Sequence, residues 1–252
     1  MIFFDENNPN KYRKLKKLLV PKDCNLEFKR FGSKDGSYVL PANIQNANIL
    51  SYGIGSDPNG VSFEKSLDKD CNILHMYDGS IDSPPIKFDH GVFYKEYLTE
   101  SNFKDHINKF TDTFSGPSIL KMDIEGNEYD WLTKKNEELL YYNFDIFAVE
   151  LHSLIQEIPD GWVLEPQLLD TKQNPNKPLS FLKRLNEHFF PWHIHGNNHS
   201  PRYVDFADSL EVMFLNCSFF GNNLKKRKEK FPLDIDEPNF DGRPDYVLDW
   251  WL

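Results

Sequence analysis

The sequence predicts an α/β fold: an open, doubly wound, Rossmann-like sheet whose strands run mostly parallel. Short apolar runs recur along the chain, among them Ile49-Leu-Ser-Tyr-Gly-Ile-Gly-Ser56, Ile73-Leu-His-Met-Tyr-Asp78 and Ile119-Leu-Lys-Met-Asp-Ile-Glu-Gly126. Each ends in glycine or a polar residue, as do Ile146-Phe-Ala-Val-Glu-Leu-His152 and Trp192-His-Ile-His-Gly-Asn-Asn198. Stretches of helical pattern alternate with them. Runs that are apolar throughout belong to strands buried on both faces, and ligands of such sheets bind in the crevice outside the strands' carboxyl ends. The site is located before its chemistry is known.

In chain order, residues 10–20 read as a short basic amphipathic helix ended by Pro21, and Phe28 to Leu40 as a hairpin turning at Asp35-Gly36. Strands follow at Ile49–Ile54, Asn72–Tyr77, His90–Tyr97, Ser118–Met122 and Phe144–Leu151. Between them, helices are expected to open at Ser62–Leu67 and to cover Phe103–Phe110 and Glu125–Leu140. A Pro- and Asn-containing stretch from Pro159 to Pro178 has the length of a functional lid. A helix over Leu179–Phe189 and strands at Trp192–His195 and Leu210–Asn216 complete the core. The chain divides into an N-terminal extension (1–45), a Rossmann-like core (46–220) and an acidic, turn-rich wrapping tail (221–252) that Trp250-Trp251 could pin, all within one domain.

The 252 residues suffice for one α/β domain, and no run approaches the roughly 18 apolar residues of a membrane span. The N-terminus turns acidic after four apolar residues and does not read as a secretory signal, so a cytoplasmic location without membrane contact is expected. Cys24, Cys71 and Cys217 have neither metal nor disulfide spacing. A net charge of -10 argues against a nucleic-acid partner, and the basic run Lys225–Lys230 reads as a solvated surface. Oligomeric state is left open.

The loop Gly53-Ile-Gly55-Ser-Asp-Pro-Asn-Gly60 joins the first strand to a helix, where glycines allow a ligand close to the backbone. Asp78 ends the next strand roughly 20 residues on, the usual place of a ribose acceptor. The pair fits a dinucleotide or S-adenosylmethionine, or else only a tight turn and a helix cap. Asp123 closes the fourth strand, with Glu125, Glu128 and Trp131 after it at helical spacing. A carboxylate there needs a cation, a metal or donors nearby.

Lys121-Met-Asp-Ile-Glu-Gly-Asn-Glu128 resembles the hallmark of the FkbM-type S-adenosylmethionine-dependent methyltransferases, a strand followed by Lys-Met/Ile/Val-Asp-Ile/Val-Glu-Gly-x-Glu. Arg30-Phe-Gly-Ser-Lys-Asp-Gly-Ser-Tyr38 is similar to the Arg-x-Gly-x-x-x-Asp-Gly-Gly-Tyr of the branch that includes eukaryotic methyltransferase-like proteins, with Ser37 in place of a glycine. Ser51-Tyr-Gly-Ile-Gly55 and Ser62-Phe-Glu64 resemble its first cofactor loop, here lengthened by Asp57-Pro-Asn-Gly60. Glu150-Leu-His152, His193 to Asn198 and Leu210-Glu211 resemble its later strands. The resemblance implies the seven-stranded sheet of class I methyltransferases with a terminal β-hairpin. It also implies S-adenosylmethionine as cofactor, held by Tyr38, Gly53, Gly55, Ser56, Phe63, Glu64 and Asp78, and methyl transfer to a hydroxyl, often on a sugar or glycan.

Removal of the hydroxyl proton needs a base, and His195, His152 and Asp123 all stand at strand ends. His195 is preferred for its neighbours Gly196-Asn197-Asn198, although His193 and His195 would equally serve to flank a strand. Asp123, Glu150 and His152 form a candidate Mg²⁺ or Mn²⁺ site; the alternative is that the two acids meet the cofactor amine or cap helices. Trp162 and Trp192 are placed to stack on a sugar ring or to pack the core. The rival activities are an NAD-linked oxidoreductase and a non-catalytic binding module on the same fold.

Overall fold

A computed structural model describes residues 12–110, 115–155, 164, 166–203, 205–221 and 223–252. Its centre is a seven-stranded sheet of β1 (Asn48–Tyr52), β2 (Ile73–Tyr77), β3 (Val92–Tyr94), β4 (Ser118–Met122), β5 (Ile146–Leu151), β6 (Phe189–Gly196) and β7 (Leu210–Asn216). The strand order is β3-β2-β1-β4-β5-β7-β6. The first five strands pair in parallel, and β7 lies antiparallel between β5 and β6. The α/β class, the seven strands and the terminal hairpin therefore stand as expected. An all-parallel dinucleotide sheet lacks that inserted antiparallel strand.

Alternation along the strands sorts the core into two layers. Leu50, Tyr52, Leu120, Met122, Phe147 and Val149 face one way, where α1 (Arg13–Leu18), α3 (Phe103–Phe110) and α6 (Asn176–Leu185) cover them. Ile49, Met76, Ile119, Ala148, Trp192 and Met213 face the other, beneath α2 (Ser62–Leu67) and an antiparallel hairpin of Phe28–Phe31 with Tyr38–Pro41. Trp192 is core: fully buried, it stacks on Phe28 at 4.2 Å. Trp162 lies outside the described residues.

The register of β6 on β7 shifts between Met213 and Phe214, opposite Pro191, which has no N–H to give the ladder. The chain leaves β1 toward β2 and β3 on one side and returns to β4 and β5 on the other. The switch point therefore falls between the carboxyl ends of β1 and β4.

One expected helix is corrected. Residues 125–133 form turns, and α4 (Lys134–Asn143) starts only after Thr133, whose side chain caps it through the Asn136 N–H. Glu125 (φ 54°) and Gly126 (φ 100°) are left-handed, which a helix does not accommodate. The lid expected from Pro159 is described only in part, and there it forms α5 (Pro166–Gln173) and the start of α6. In the basic run, the Arg227 guanidinium is buried over Phe28 at 4.7 Å. The tail wraps the hairpin, with Trp251 buried against Phe231. Among the described residues no helix is long and apolar enough to cross a membrane.

Candidate functional site

A cleft of about 670 Å³ opens at the switch point, within the range of small-molecule sites. Gly53, Gly55, Ser56, Asp78 and Asp123 line it. Its charged lining among the described residues is wholly acidic: Asp35, Asp57, Asp78, Glu96, Asp123 and Glu125, with no lysine or arginine.

The glycine loop is fixed from below and from the side. Gly53 has φ +70°, and a Cβ there would meet the Asp123 carbonyl oxygen at 1.6 Å. The Gly55 N–H donates to Asp78 Oδ2 (2.9 Å), while Ser80 donates to Oδ1 through its N–H and hydroxyl (2.8 and 2.5 Å). Asp78 thus ties the first two strand-end loops into one wall. Underneath, Lys121 Nζ donates to the Gly53 carbonyl (2.8 Å) and sits 3.6 Å from Glu64, which also accepts from the Ser51 hydroxyl. Burial works against the Lys121 charge, but Glu64, Asp123 and Glu150 outweigh it and hold its pKa above the ordinary value.

Glu64, Phe63 and Tyr38, which the resemblance assigned to the cofactor, lie in this buried layer below the cleft. Phe63 and Tyr38 meet edge to face at 5.4 Å. Gly53→Ala combines a positive φ with a backbone clash. It is expected to cost at least about 2 kcal/mol of stability and to remove cleft binding, as read by urea denaturation and calorimetry.

Behind Asp123 is a cluster of acids around one imidazole. His152 Nε2 lies 3.5 Å from Glu125 Oε2, 3.7 Å from Glu150 Oε1 and 3.8 Å from Asp123 Oδ1. Its Nδ1 is 2.8 Å from the fully buried Glu128, whose Oε1 also accepts the Gly126 N–H at 3.0 Å. Glu128 thereby fixes the ring and the left-handed turn that aims Glu125. Burial disfavours charge on His152, yet Glu128 and Glu150 hold its pKa well above that of an ordinary imidazole. Burial drives Glu150 well above the carboxylate range, with His152 opposing and Asp123, Glu211 and Asp35 adding. Burial also pushes Asp123 up to about 7, although Lys121 and His152 pull it down.

Asp123 Oδ1 is buried without a hydrogen-bond partner, and Asp123, Glu125 and His152 each offer a donor atom to a common point. An octahedral ion with bonds of about 2.1 Å sets neighbouring donors about 3.0 Å apart, so these three, all within 4.8 Å of one another, would draw together by up to about 1.8 Å to close on Mg²⁺ or Mn²⁺. The donor set fits. Glu125 takes the place beside Asp123 and His152 that was expected of Glu150, which lies outside this group and whose Oε1 accepts from Asn197 Nδ2 at 2.9 Å. Glu128 bonds the ring's other nitrogen, as the outer partners of metal-bound histidines do. Glu128→Ala is expected to lower Mn²⁺ affinity about 10–100-fold, with Glu128→Gln closer to the parent because its amide oxygen still accepts; calorimetry reads both.

His195 stands apart from the cleft. Its Nδ1 meets Glu211 and its Nε2 meets Asp245 of the tail, each at 2.9 Å. Burial opposes its charge, but the two carboxylates prevail and push its pKa up to about 10. With both nitrogens donating, the ring has no lone pair for a substrate proton. Of the expected bases, it is Asp123 that lines the cleft, with 27% of its side-chain surface exposed.

Sequence reasoning passed over Glu125 and Glu128 as helix-face acids, Asp35 as a turn residue, and Glu96 altogether. Left-handed Glu125 ahead of Gly126 leaves no trace in an apolar periodicity.

No protein-family model matches the chain, and no curated protein does. A solved structure similar to it is that of a Streptococcus mutans protein described as a candidate methyltransferase, in complex with SAH. The identity is 11%, over 69% of this chain and 88% of that one, with a TM-score of 0.36. Likeness of that degree does not carry a shared activity.

Proposed function

We propose that the chain is an S-adenosylmethionine-dependent O-methyltransferase of the FkbM type, acting on a hydroxyl of a sugar or glycan with Mg²⁺ or Mn²⁺. The observation that carries this reading is the cleft's charge: among the described residues, six acidic side chains and no basic one line it at the switch point of the sheet. A sulfonium and an ammonium suit that lining. The pyrophosphate of a nicotinamide cofactor would face repulsion across the cleft.

In this reading Gly53, Gly55 and Ser56 let the methyl donor approach the backbone, and Asp78 accepts from its ribose. Asp123, Glu125 and His152 would hold the divalent ion, which supplies Lewis-acid lowering of the hydroxyl's pKa. Glu128 keeps His152 Nε2 turned toward the ion. The hydroxyl oxygen attacks the donor methyl in line, its bond forming as the carbon–sulfur bond breaks, and the proton passes to the Asp123 carboxylate.

Because Asp123 is held up at about 7, it is protonated below that pH and ionised above it. Mn²⁺ affinity is expected to rise as pH increases through 7, and an affinity that falls over the same interval contradicts the assignment. The function is tested by incubating the chain with tritiated S-adenosylmethionine on a glycan array, with Mg²⁺ or with EDTA. Label that appears with Mg²⁺ and vanishes with EDTA is the expected result. Label indifferent to chelation removes the metal, and absence of label from every glycan removes the acceptor class.

A further inference from the structure

The exposed carboxylate of Asp35 is held at the cleft by more of the fold than a turn requires. On one side its corner rests on the loop after β1: a Cβ on Gly36 would lie 2.4 Å from the Asn59 carbonyl oxygen, and the Ser62 hydroxyl bonds the Gly36 carbonyl at 2.9 Å. On the other side the tail clamps it. The Lys34 N–H donates to Glu237 (3.0 Å), and Asn239 Nδ2 donates to Asp35 Oδ1 (2.9 Å) and to Glu211 (2.6 Å). The tail is itself anchored where the Phe240 N–H donates to the buried Asn198 (2.8 Å). From behind, Asn197 Nδ2 spans Asp35 Oδ1 (3.5 Å) and Glu150 Oε1 (2.9 Å).

The partners of the Asp35 carboxylate are thus side chains more than 160 residues away, and one of them, Asn197, links it to the acid–imidazole cluster. Asp35 and Asp123 open onto the same cleft. Ionised carboxylates are acceptors only, so what bridges these two must bring donors.

We infer that Asp35, with Asn197 and Asn239 behind it, is the acceptor subsite: it takes a second hydroxyl of an uncharged polyol while a first hydroxyl sits at Asp123. This rests on the methyltransferase reading and narrows its acceptor to neutral diol-bearing sugars. Phosphorylated or uronate sugars would bring an anion against Asp35, where no basic side chain among the described lining residues receives it. The tail from Glu237 to Phe240 becomes part of the site, since it fixes the direction of the carboxylate.

The test compares the full chain with Asp35→Asn in three measurements: calorimetry with S-adenosylhomocysteine, calorimetry with Mn²⁺, and methyl incorporation into arrayed neutral, phosphorylated and uronate glycans. The expected variant loses far less affinity for either probe than for the neutral glycan. Its KM for the neutral glycan rises about 10–100-fold, the loss of a hydrogen bond to a charged group, while kcat stays within about threefold. Asn239→Ala moves KM the same way by less. An unchanged KM, a fall in S-adenosylhomocysteine or Mn²⁺ affinity matching the KM effect, preference for a phosphorylated or uronate glycan, or no label on any neutral glycan overturns the subsite. Failure of the parent to bind S-adenosylhomocysteine instead strikes the underlying methyltransferase reading.

Discussion

Asp123→Asn is expected to lower methyl transfer about 10²–10⁴-fold, the contribution of a positioned proton acceptor, and to abolish detectable Mn²⁺ binding. The same substitution is expected to leave the metal-free fold as stable as the parent or more so. Asp123 is held at about 7, well above the roughly 3.9 of an unfolded aspartate. The fold therefore binds this proton more tightly than the unfolded chain does. Its ionised form costs stability, by an amount that grows from about pH 4 and levels off above pH 7. Asparagine keeps the shape and removes that cost. Urea midpoints for parent and variant should nearly coincide at pH 4.5, and the variant should be the more stable at pH 8 without divalent ions. Lower stability at pH 8 would mean that the ionised Asp123 is more than offset by its charged neighbours in the metal-free state, although its buried Oδ1 has no hydrogen bond.

Lys121→Met should be the most destabilising single change in the site, by about 3–5 kcal/mol. Lys121 and Glu64 have side chains only 2% and 0% exposed, and removing the ammonium strands a carboxylate with little besides the Ser51 hydroxyl to satisfy it. The Gly53 carbonyl loses its donor as well, so the glycine loop should loosen and S-adenosylhomocysteine affinity should fall. Urea denaturation reads the first effect. Adding Glu64→Gln should restore much of the stability, because it removes the stranded charge. A double variant no more stable than Lys121→Met would show that the loss comes from the Gly53 contact instead.

The site's place was legible in the sequence because the signals that set it are local. Ser118–Met122 and Leu210–Asn216 match the expected strands in full, since each is a short, mostly apolar run bounded by turn residues. Phe103–Phe110 matches as a helix for the same reason, its apolar residues at three- and four-residue spacing. What failed to show were pairings made across the fold. Nothing near His195 announces Glu211, which faces it from β7, or Asp245, which arrives from the tail. Nothing near Glu64 announces Lys121 on β4. The segment from Glu125 to Leu132 has helical spacing but turns instead: Glu128 is drawn inward to His152, and the Tyr129 hydroxyl to the His152 carbonyl at 2.6 Å. Tertiary hydrogen bonds to a buried imidazole override a helix propensity of a few tenths of a kcal/mol per residue.

The most direct measurement is calorimetric titration of the full chain with S-adenosylhomocysteine, with and without Mn²⁺, beside the same titration with NAD. Micromolar binding of S-adenosylhomocysteine and none of NAD is the predicted result. Binding of NAD in its place, or of neither ligand under any metal condition, would contradict the assignment of the acidic cleft to a methyl donor.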